Sequence, residues 1–293
     1  VPDPAGRPPW FSRALADRPK FVETVVAGTV VRARCWGPVG PGIVLIHGGA
    51  AHAAWWDHIG PLISADQRVV AIDLSGHGNS GLRAEYTFDT WSDEAAALGA
   101  VGGITGSPVF VGHSMGGYVA LALGGRQPDA VRGVIVIDSA VPGLVRTSTP
   151  NREPTAAATP HHYATKDEAV RRFRVTPPDP YVLPYVAAHV AAESVVETEG
   201  GWTWKFDPNA QRRDRSVSND LLSDLTGRLA ILRAEHGLTT REIAARMVNV
   251  YGRAAPVIEL AGTGHHVPLD DPIALATALS SVIATWTVSR TKS

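Results

Sequence analysis

Val109-Phe110-Val111-Gly112-His113-Ser114-Met115-Gly116-Gly117 reads as a short apolar strand, a Gly-x-Ser-x-Gly pentapeptide and the opening of a glycine-rich helix. A serine caught between strand and helix sits on a sharp turn at strained dihedral angles. Its neighbours two places away must be small, because strand and helix pass close to each other there, and Gly112 and Gly116 meet that need. The turn pushes the Ser114 hydroxyl out at the carboxyl end of a sheet. It also sets Ser114 and Met115 at a helix N-terminus, where backbone N–H groups stabilise an anion. The bland alternative is a glycine-rich turn in which the serine only caps the helix.

Outward from this stretch, short apolar runs recur between glycine-rich turns. Strands are expected at 21–27, 30–36, 42–46, 68–72, 108–111, 133–137, 229–232 and 257–260, the first two joined as a hairpin through Ala27-Gly28-Thr29. The later runs are apolar on both faces, as strands of a covered parallel sheet should be. Helical patterns fall between them at 55–64, 90–99, 116–127 and 273–286, the last opened by Asp271-Pro272. Alternation of this kind implies an α/β fold. It breaks between 141 and 226, where 141–160 reads as loop, 167–173 and 182–194 as helices, and no clear strand is evident. A structureless loop of that length is improbable in a compact domain, so the segment reads as an inserted, mostly helical cap (141–226) in a core made of 1–140 and 227–293.

Composition narrows the function. The chain has 293 residues, 27 basic against 28 acidic side chains and a net charge of −1, which leaves no electrostatic footprint for nucleic acid or an acidic membrane surface. A single cysteine, Cys35, excludes an intramolecular disulfide framework. The Pro-rich start shows no signal-peptide pattern, and no apolar run reaches the ~20 residues of a membrane span. A cytoplasmic enzyme without nucleic-acid or membrane partners is the expectation, with a homodimer left open.

With these motifs in view, the sequence resembles the α/β-hydrolase superfamily from about Gly42 to Pro272. Four motifs fall in the family's order: Ile46-His47-Gly48-Gly49, Asp73-Leu74-Ser75-Gly76-His77-Gly78-Asn79-Ser80, the serine turn, and Gly262-Thr263-Gly264-His265-His266. The resemblance implies a mainly parallel eight-stranded sheet flanked by helices and a serine nucleophile, Ser114. It implies an oxyanion hole from the N–H groups of Gly49 and Met115, and no cofactor or metal. The spacing Gly76-x-Gly78-x-x-Gly81 matches a dinucleotide fingerprint, but it lacks the following helix and does not follow the first strand; it reads as a tight loop. The family's base is the histidine directly after the Gly-x-Gly turn, His265, with His266 the second choice. Asp270 and Asp271 read as helix-start residues.

The triad acid departs from the commonest pattern. The family usually places it after the seventh strand, where this chain has Leu232-Arg233-Ala234-Glu235-His236-Gly237, with Gly237 at the acid's place. The other family location follows the sixth strand, at Asp138, 24 residues beyond Ser114. Asp138 is therefore expected as the acid and Glu235 is the alternative. His47 and His77 read as braces of their turns, and His52 with His58 lacks a third ligand at helical spacing. Gly48, Trp55, His113, Tyr181, Trp202, Trp204 and Phe206 are candidate pocket residues, although aromatic side chains more often fill cores. The chemistry expected is acyl transfer from a small neutral ester or lactone. The alternatives are C–C bond or thioester hydrolysis, a cofactor-free lyase step, or a non-catalytic ligand-binding member of the fold.

Overall fold

β3 (Gly42–Ile46), β4 (Arg68–Asp73), β5 (Val109–His113) and β6 (Gly133–Ile137) are buried at every position. A strand can be apolar throughout only if both faces of its sheet are covered. In this computed structural model, which describes residues 6–141, 161–212 and 220–287, they are. Val44, Ile46, Phe110, Val134 and Val136 face one core, with Trp91, Leu98, Val119, Leu121, Ile243 and Met247 from α3 (Phe88–Val101), α4 (Met115–Arg126) and α8 (Arg241–Tyr251). The alternate residues Ile43, Leu45, Val109, Val111, Ile135 and Ile137 face the second core, with Ile59, Ile63, Leu275, Leu279 and Val282 around α2 (Gly60–Ile63) and α10 (Pro272–Thr287). The period of two along each strand divides the molecule into its layers.

β1 (Lys20–Val26), β2 (Thr29–Trp36), β9 (Arg228–Ala234) and β10 (Val257–Leu260) complete an eight-stranded sheet in the order β1-β2-β4-β3-β5-β6-β9-β10. β1 and β2 form an antiparallel hairpin, β2 runs antiparallel to β4, and the strands from β4 to β10 are parallel. Val26 pairs with Thr29, leaving a two-residue turn in which Ala27 and Gly28 both have positive φ (43° and 79°). That geometry matches the right-handed twist of a hairpin. The fold is the α/β-hydrolase architecture expected from the motifs.

Three expectations need correction. The helix expected at 55–64 is two pieces, a 3-10 turn (Ala53–Trp56) and α2, because Pro61 lacks an N–H and fits only the opening of a new helix. The stretch between β6 and β9 contains α5 (Lys166–Arg171), α6 (Pro184–Glu193) and α7 (Asp220–Ser223), but it also carries a hairpin of β7 (Val195–Thr198) and β8 (Gly201–Trp204). Its turn lies at Glu199-Gly200, and Gly201 opens β8 at φ 106°. The expected loop at 141–160 lies almost wholly outside the described residues. α1 (Pro9–Ala16) and α8 were not anticipated, although Thr240 caps α8 by accepting the Ile243 N–H and Gly252 ends it at φ 71°. Among the described residues no helix is long and apolar enough to cross a membrane.

Candidate active site

Ser114 joins β5 to α4 at φ 52° and ψ −118°. A non-glycine residue there stores about 1–3 kcal/mol of strain, which the packing around it must hold in place. A Cβ at Gly116 would come within 2.5 Å of the Ile46 carbonyl and 2.6 Å of that of His47, and one at Gly112 would collide with the backbone of Gly116. Nothing larger than glycine lets β5, α4 and the end of β3 approach so closely. The Ser114 N–H donates to the Ile137 carbonyl at 2.9 Å, which extends the β5–β6 ladder to the turn.

Asp138 leaves β6 at φ 44°, a conformation aspartate tolerates better than most residues. Its N–H donates to Leu232 O at 2.8 Å, which ties it to β9. One carboxylate oxygen accepts the Leu238 N–H at 2.7 Å and the other accepts that of Thr239 at 2.9 Å. The first oxygen also receives His265 Nδ1 at 2.7 Å. Because an ionised carboxylate only accepts, Nδ1 carries the proton and Nε2 presents its lone pair. His265 Nε2 lies 3.0 Å from Ser114 Oγ. Ser114, His265 and Asp138 therefore form one hydrogen-bonded line, with Asp138 1% and His265 6% exposed.

The position vacant in the commoner pattern explains the arrangement. A Cβ on Gly237 would lie 2.5 Å from Asp138 Cγ and closer still to Oδ2. The space that a side chain after β9 would fill is taken by the carboxylate arriving from β6. Glu235 is placed elsewhere. Its Oε2 accepts the Gly262 N–H at 2.8 Å and lies 3.8 Å from His236 Nε2, on the exposed side of the loop.

The loop carrying His265 is held from two directions, and no motif pointed to either. Asp270 Oδ2 accepts the Gly264 N–H at 2.8 Å. From the segment before α6, Asp179 accepts the His266 N–H at 3.1 Å, and the Pro177 carbonyl takes His266 Nε2 at 3.0 Å. Asp271 alone opens α10, accepting the Ala274 N–H; Asp270 belongs to the loop instead, at the end of α9 (Val267–Asp270). Burial, with Asp179 nearby, lifts the Asp270 carboxyl to about 7. Burial, with His265 nearby, lowers the His266 imidazole to about 4 and holds His113 well below the ordinary value. These two rings stay neutral near pH 7.

Met115 opens α4, so its N–H has no partner within the helix and remains available to an anion. His47 braces the facing loop, with Nδ1 2.7 Å from Gly48 O and Nε2 accepting the Leu74 N–H at 3.2 Å. A Cβ on Gly48 would stand 3.3 Å from Ser114 Cβ, and one on Gly49 would stand 3.8 Å from Met115 Sδ, so both glycines line the approach to the serine. His77 packs on His47 at 4.9 Å between ring centres, and Phe206 packs on His77 at 5.3 Å. Trp55 stacks on His113 at 6.3 Å and meets His266 edge-on at 5.7 Å.

The other aromatic candidates have different company. Tyr181 stacks on His236 at 5.1 Å, above the loop that holds Asp138. Trp204 contacts Tyr163 and Phe173, and Trp202 lies under the Lys166 ammonium, all within the segment between β6 and β9. His52 and His58 bond to Ser194 Oγ and Pro268 O, and the Asp57 carboxylate takes Arg34 and His189. In the Gly76–Gly81 loop, the Asp73 carboxylate accepts the N–H groups of Ala53 and Asn79 and fills the place of a Cβ at Gly78. A cleft of about 370 Å³ lies against β2 and α6, walled by Arg34, Asp57, His189 and Glu193, and Ser114 is not among its walls.

This sheet order, with a serine on a strained turn after β5 and a histidine loop after β10, defines a hydrolase of the α/β class. Residues 43–278 match the alpha/beta hydrolase family, and the chain belongs to it. It is 24% identical over 271 residues to the esterase Rv0045c of Mycobacterium tuberculosis, covering 90% of this chain and 89% of that protein. The solved structure of that esterase gives a TM-score of 0.72 at 21% identity, with 91% of each chain covered. A shorter match, 31% identical over 121 residues, covers 41% of this chain and 46% of the pimeloyl-[acyl-carrier protein] methyl ester esterase of Aeromonas hydrophila. The thioesterase domain from the curacin biosynthetic pathway shares the fold with a TM-score of 0.74 at 20% identity, covering 91% of this chain and 99% of that one.

Proposed function

We propose that the chain is a serine hydrolase that cleaves a carboxylic ester or lactone through an acyl-enzyme. Ser114 is the nucleophile, His265 the general base and acid, and Asp138 the residue that orients the imidazole and stabilises its charged form. The support for this reading is the pair of hydrogen bonds from Ser114 Oγ to His265 Nε2 (3.0 Å) and from His265 Nδ1 to Asp138 Oδ2 (2.7 Å). Ester-hydrolysing relatives add to it.

A serine hydroxyl is a weak nucleophile until a base takes its proton. As Oγ attacks the carbonyl carbon, its proton passes to His265 Nε2, and Asp138 balances the imidazolium. The oxyanion receives the N–H groups of Gly49 and Met115, each worth about 3–4 kcal/mol where such donors have been removed. Collapse expels the alkoxide, which takes the proton from Nε2. Water then attacks the acyl-enzyme with His265 as base again and releases the acid. The cap expected at 141–226 lies between β6 and β9, and its described residues include Pro177 and Asp179, which hold the histidine loop beside this site. Gly48, Trp55 and His113 line its floor, and the near-neutral charge of the chain suits a small neutral acyl group.

The test is hydrolysis of a panel of p-nitrophenyl esters, lactones and thioesters, together with labelling by a fluorophosphonate. Turnover and labelling that both vanish in Ser114→Ala support the reading. A wild-type chain that takes no label at Ser114 ends it.

A further inference from the structure

Three imidazoles meet beside Ser114. One ring nitrogen from each of His113, His265 and His266 lies within 4.8 Å of one from each of the other two, and all three residues are buried. The opposite side of every ring is anchored on a fixed oxygen. His113 Nε2 sits 2.8 Å from the His265 carbonyl, His265 Nδ1 2.7 Å from Asp138, and His266 Nε2 3.0 Å from the Pro177 carbonyl. These oxygens only accept, so each anchored nitrogen carries the proton and the other nitrogen of each ring keeps a lone pair. Anchoring of this kind fixes the tautomer and aim of histidines that ligate metals.

Two of the free nitrogens, His113 Nδ1 and His266 Nδ1, are buried without a hydrogen-bond partner among the described residues. The third, His265 Nε2, faces Ser114 Oγ. A Cβ on Gly48 would stand only 3.1 Å from His113 Nδ1, so it is the glycine that leaves this nitrogen without a side chain pressed against it. Asp138 behind His265 and Asp179 on the His266 N–H supply carboxylates within one residue shell.

We propose that His113, His265 and His266 together bind one divalent transition-metal ion of the zinc or copper class, and that the ion reversibly silences the site by taking the lone pair of His265. Imidazole nitrogens suit these ions, and three ligands leave a fourth position for water or Ser114 Oγ. At about 2.0–2.1 Å from Zn²⁺, ligands in a tetrahedron stand about 3.4 Å apart, closer than the 4.8 Å that encloses one nitrogen of each ring, so the three rings have to draw together to hold the ion. Ion binding is independent of the reaction proposed above. Only the silencing rests on that reading.

The experiment is calorimetric titration of the full chain with Zn²⁺, repeated on Ser114→Ala, His266→Gln and, as a control, His236→Gln. Glutamine at 266 keeps an N–H for the Pro177 carbonyl while removing the imidazole ligand. The wild type, Ser114→Ala and His236→Gln are expected to bind one ion per chain with similar affinity, and His266→Gln to bind at least about tenfold more weakly. Co²⁺ is expected to give the visible absorption of a tetrahedral ion in the wild type and to lose it in His266→Gln. If His266→Gln does not fold, His113→Asn takes its place with the same expectation. Absence of one-to-one Zn²⁺ binding by the wild type overturns the proposal, as does binding that a folded His266→Gln leaves unchanged. Stoichiometric binding by a chain that hydrolyses no ester leaves the metal site standing and removes only the function proposed above.

Discussion

Replacing Gly237 with alanine puts a methyl group where the Asp138 carboxylate lies. The added carbon would come within 2.5 Å of Asp138 Cγ, whereas unbonded carbons settle at about 3.5–4.0 Å, so the carboxylate must retreat by roughly 1 Å. Retreat lengthens its bonds to His265 Nδ1 (2.7 Å), Leu238 N (2.7 Å) and Thr239 N (2.9 Å) together, since all three converge on the two oxygens. Misplacement of a reacting group by that distance costs on the order of 10²-fold, and loss of the carboxylate's hold on the tautomer up to about 10⁴-fold. The expected fall in kcat/KM is thus about 10²–10⁴, or roughly 3–5 kcal/mol of barrier. It should be carried by kcat, because Gly237 lies behind the base and not against the acyl group. Steady-state hydrolysis of a short p-nitrophenyl ester measures it. The double variant Asp138→Gly with Gly237→Asp moves the carboxylate to the loop after β9 and should regain at least tenfold over Asp138→Gly alone. A Gly237→Ala enzyme within threefold of wild type would refute the assignment of Asp138 and the reason given for glycine at 237.

Asp138→Ala should lose most activity while Glu235→Ala stays within about threefold of wild type; in the same ester assay the reverse outcome moves the acid to the loop after β9. Asp270, whose carboxyl is raised to about 7 from 3.8, contributes stability that is full below about pH 3.8 and is lost as pH rises through 7. Asp270→Asn should therefore melt near wild type only below about pH 4, with its advantage widening as pH rises and reaching full size above pH 7; equal melting at pH 8 would contradict the buried-carboxyl reading. His58, lowered to about 4 from 6.5 by burial, contributes stability that is full above pH 6.5 and is lost as pH falls toward 4, on the order of 3 kcal/mol at pH 4. His58→Leu should flatten that limb of a melting-temperature profile, even if it lowers the plateau by removing the bond to Pro268 O.

The sheet was legible because its strands are apolar on both faces and bounded by glycine-rich turns; 42–46, 133–137 and 257–260 were read with the limits the structure shows. What escaped was tertiary in origin or was carried by weak local signals. α8 has little apolar character beyond one stripe, and its Thr240 and Gly252 caps were the only local marks of it. The β7–β8 hairpin is four residues a side and half exposed, too short for an alternating pattern to stand out. At the site, Ser114 was expected from the glycines around it, and His265 from the resemblance, which puts the base directly after a Gly-x-Gly turn; the structure brings the two within 3.0 Å. The carboxylate could be argued only from a vacancy, Gly237, and from the distance between Ser114 and Asp138. The clasp of Pro177 and Asp179 on the histidine loop left no trace in the sequence, since it joins residues 87 and 89 positions apart; Asp270, only six residues from the Gly264 N–H it accepts, reads from sequence equally well as a helix start.

Placing the carboxylate after β6 also divides the molecule in time. Ser114, Asp138 and the loop bearing Gly49 all precede residue 142, and the imidazole between serine and aspartate comes from beyond β10. On a ribosome, the serine proposed as nucleophile and the carboxylate proposed as its counter-charge emerge early and wait as inert neighbours. The group that would join them is made more than a hundred residues later. A chain truncated before His265 would carry a serine with nothing to take its proton, so reactivity arrives only when the last parallel strand has docked.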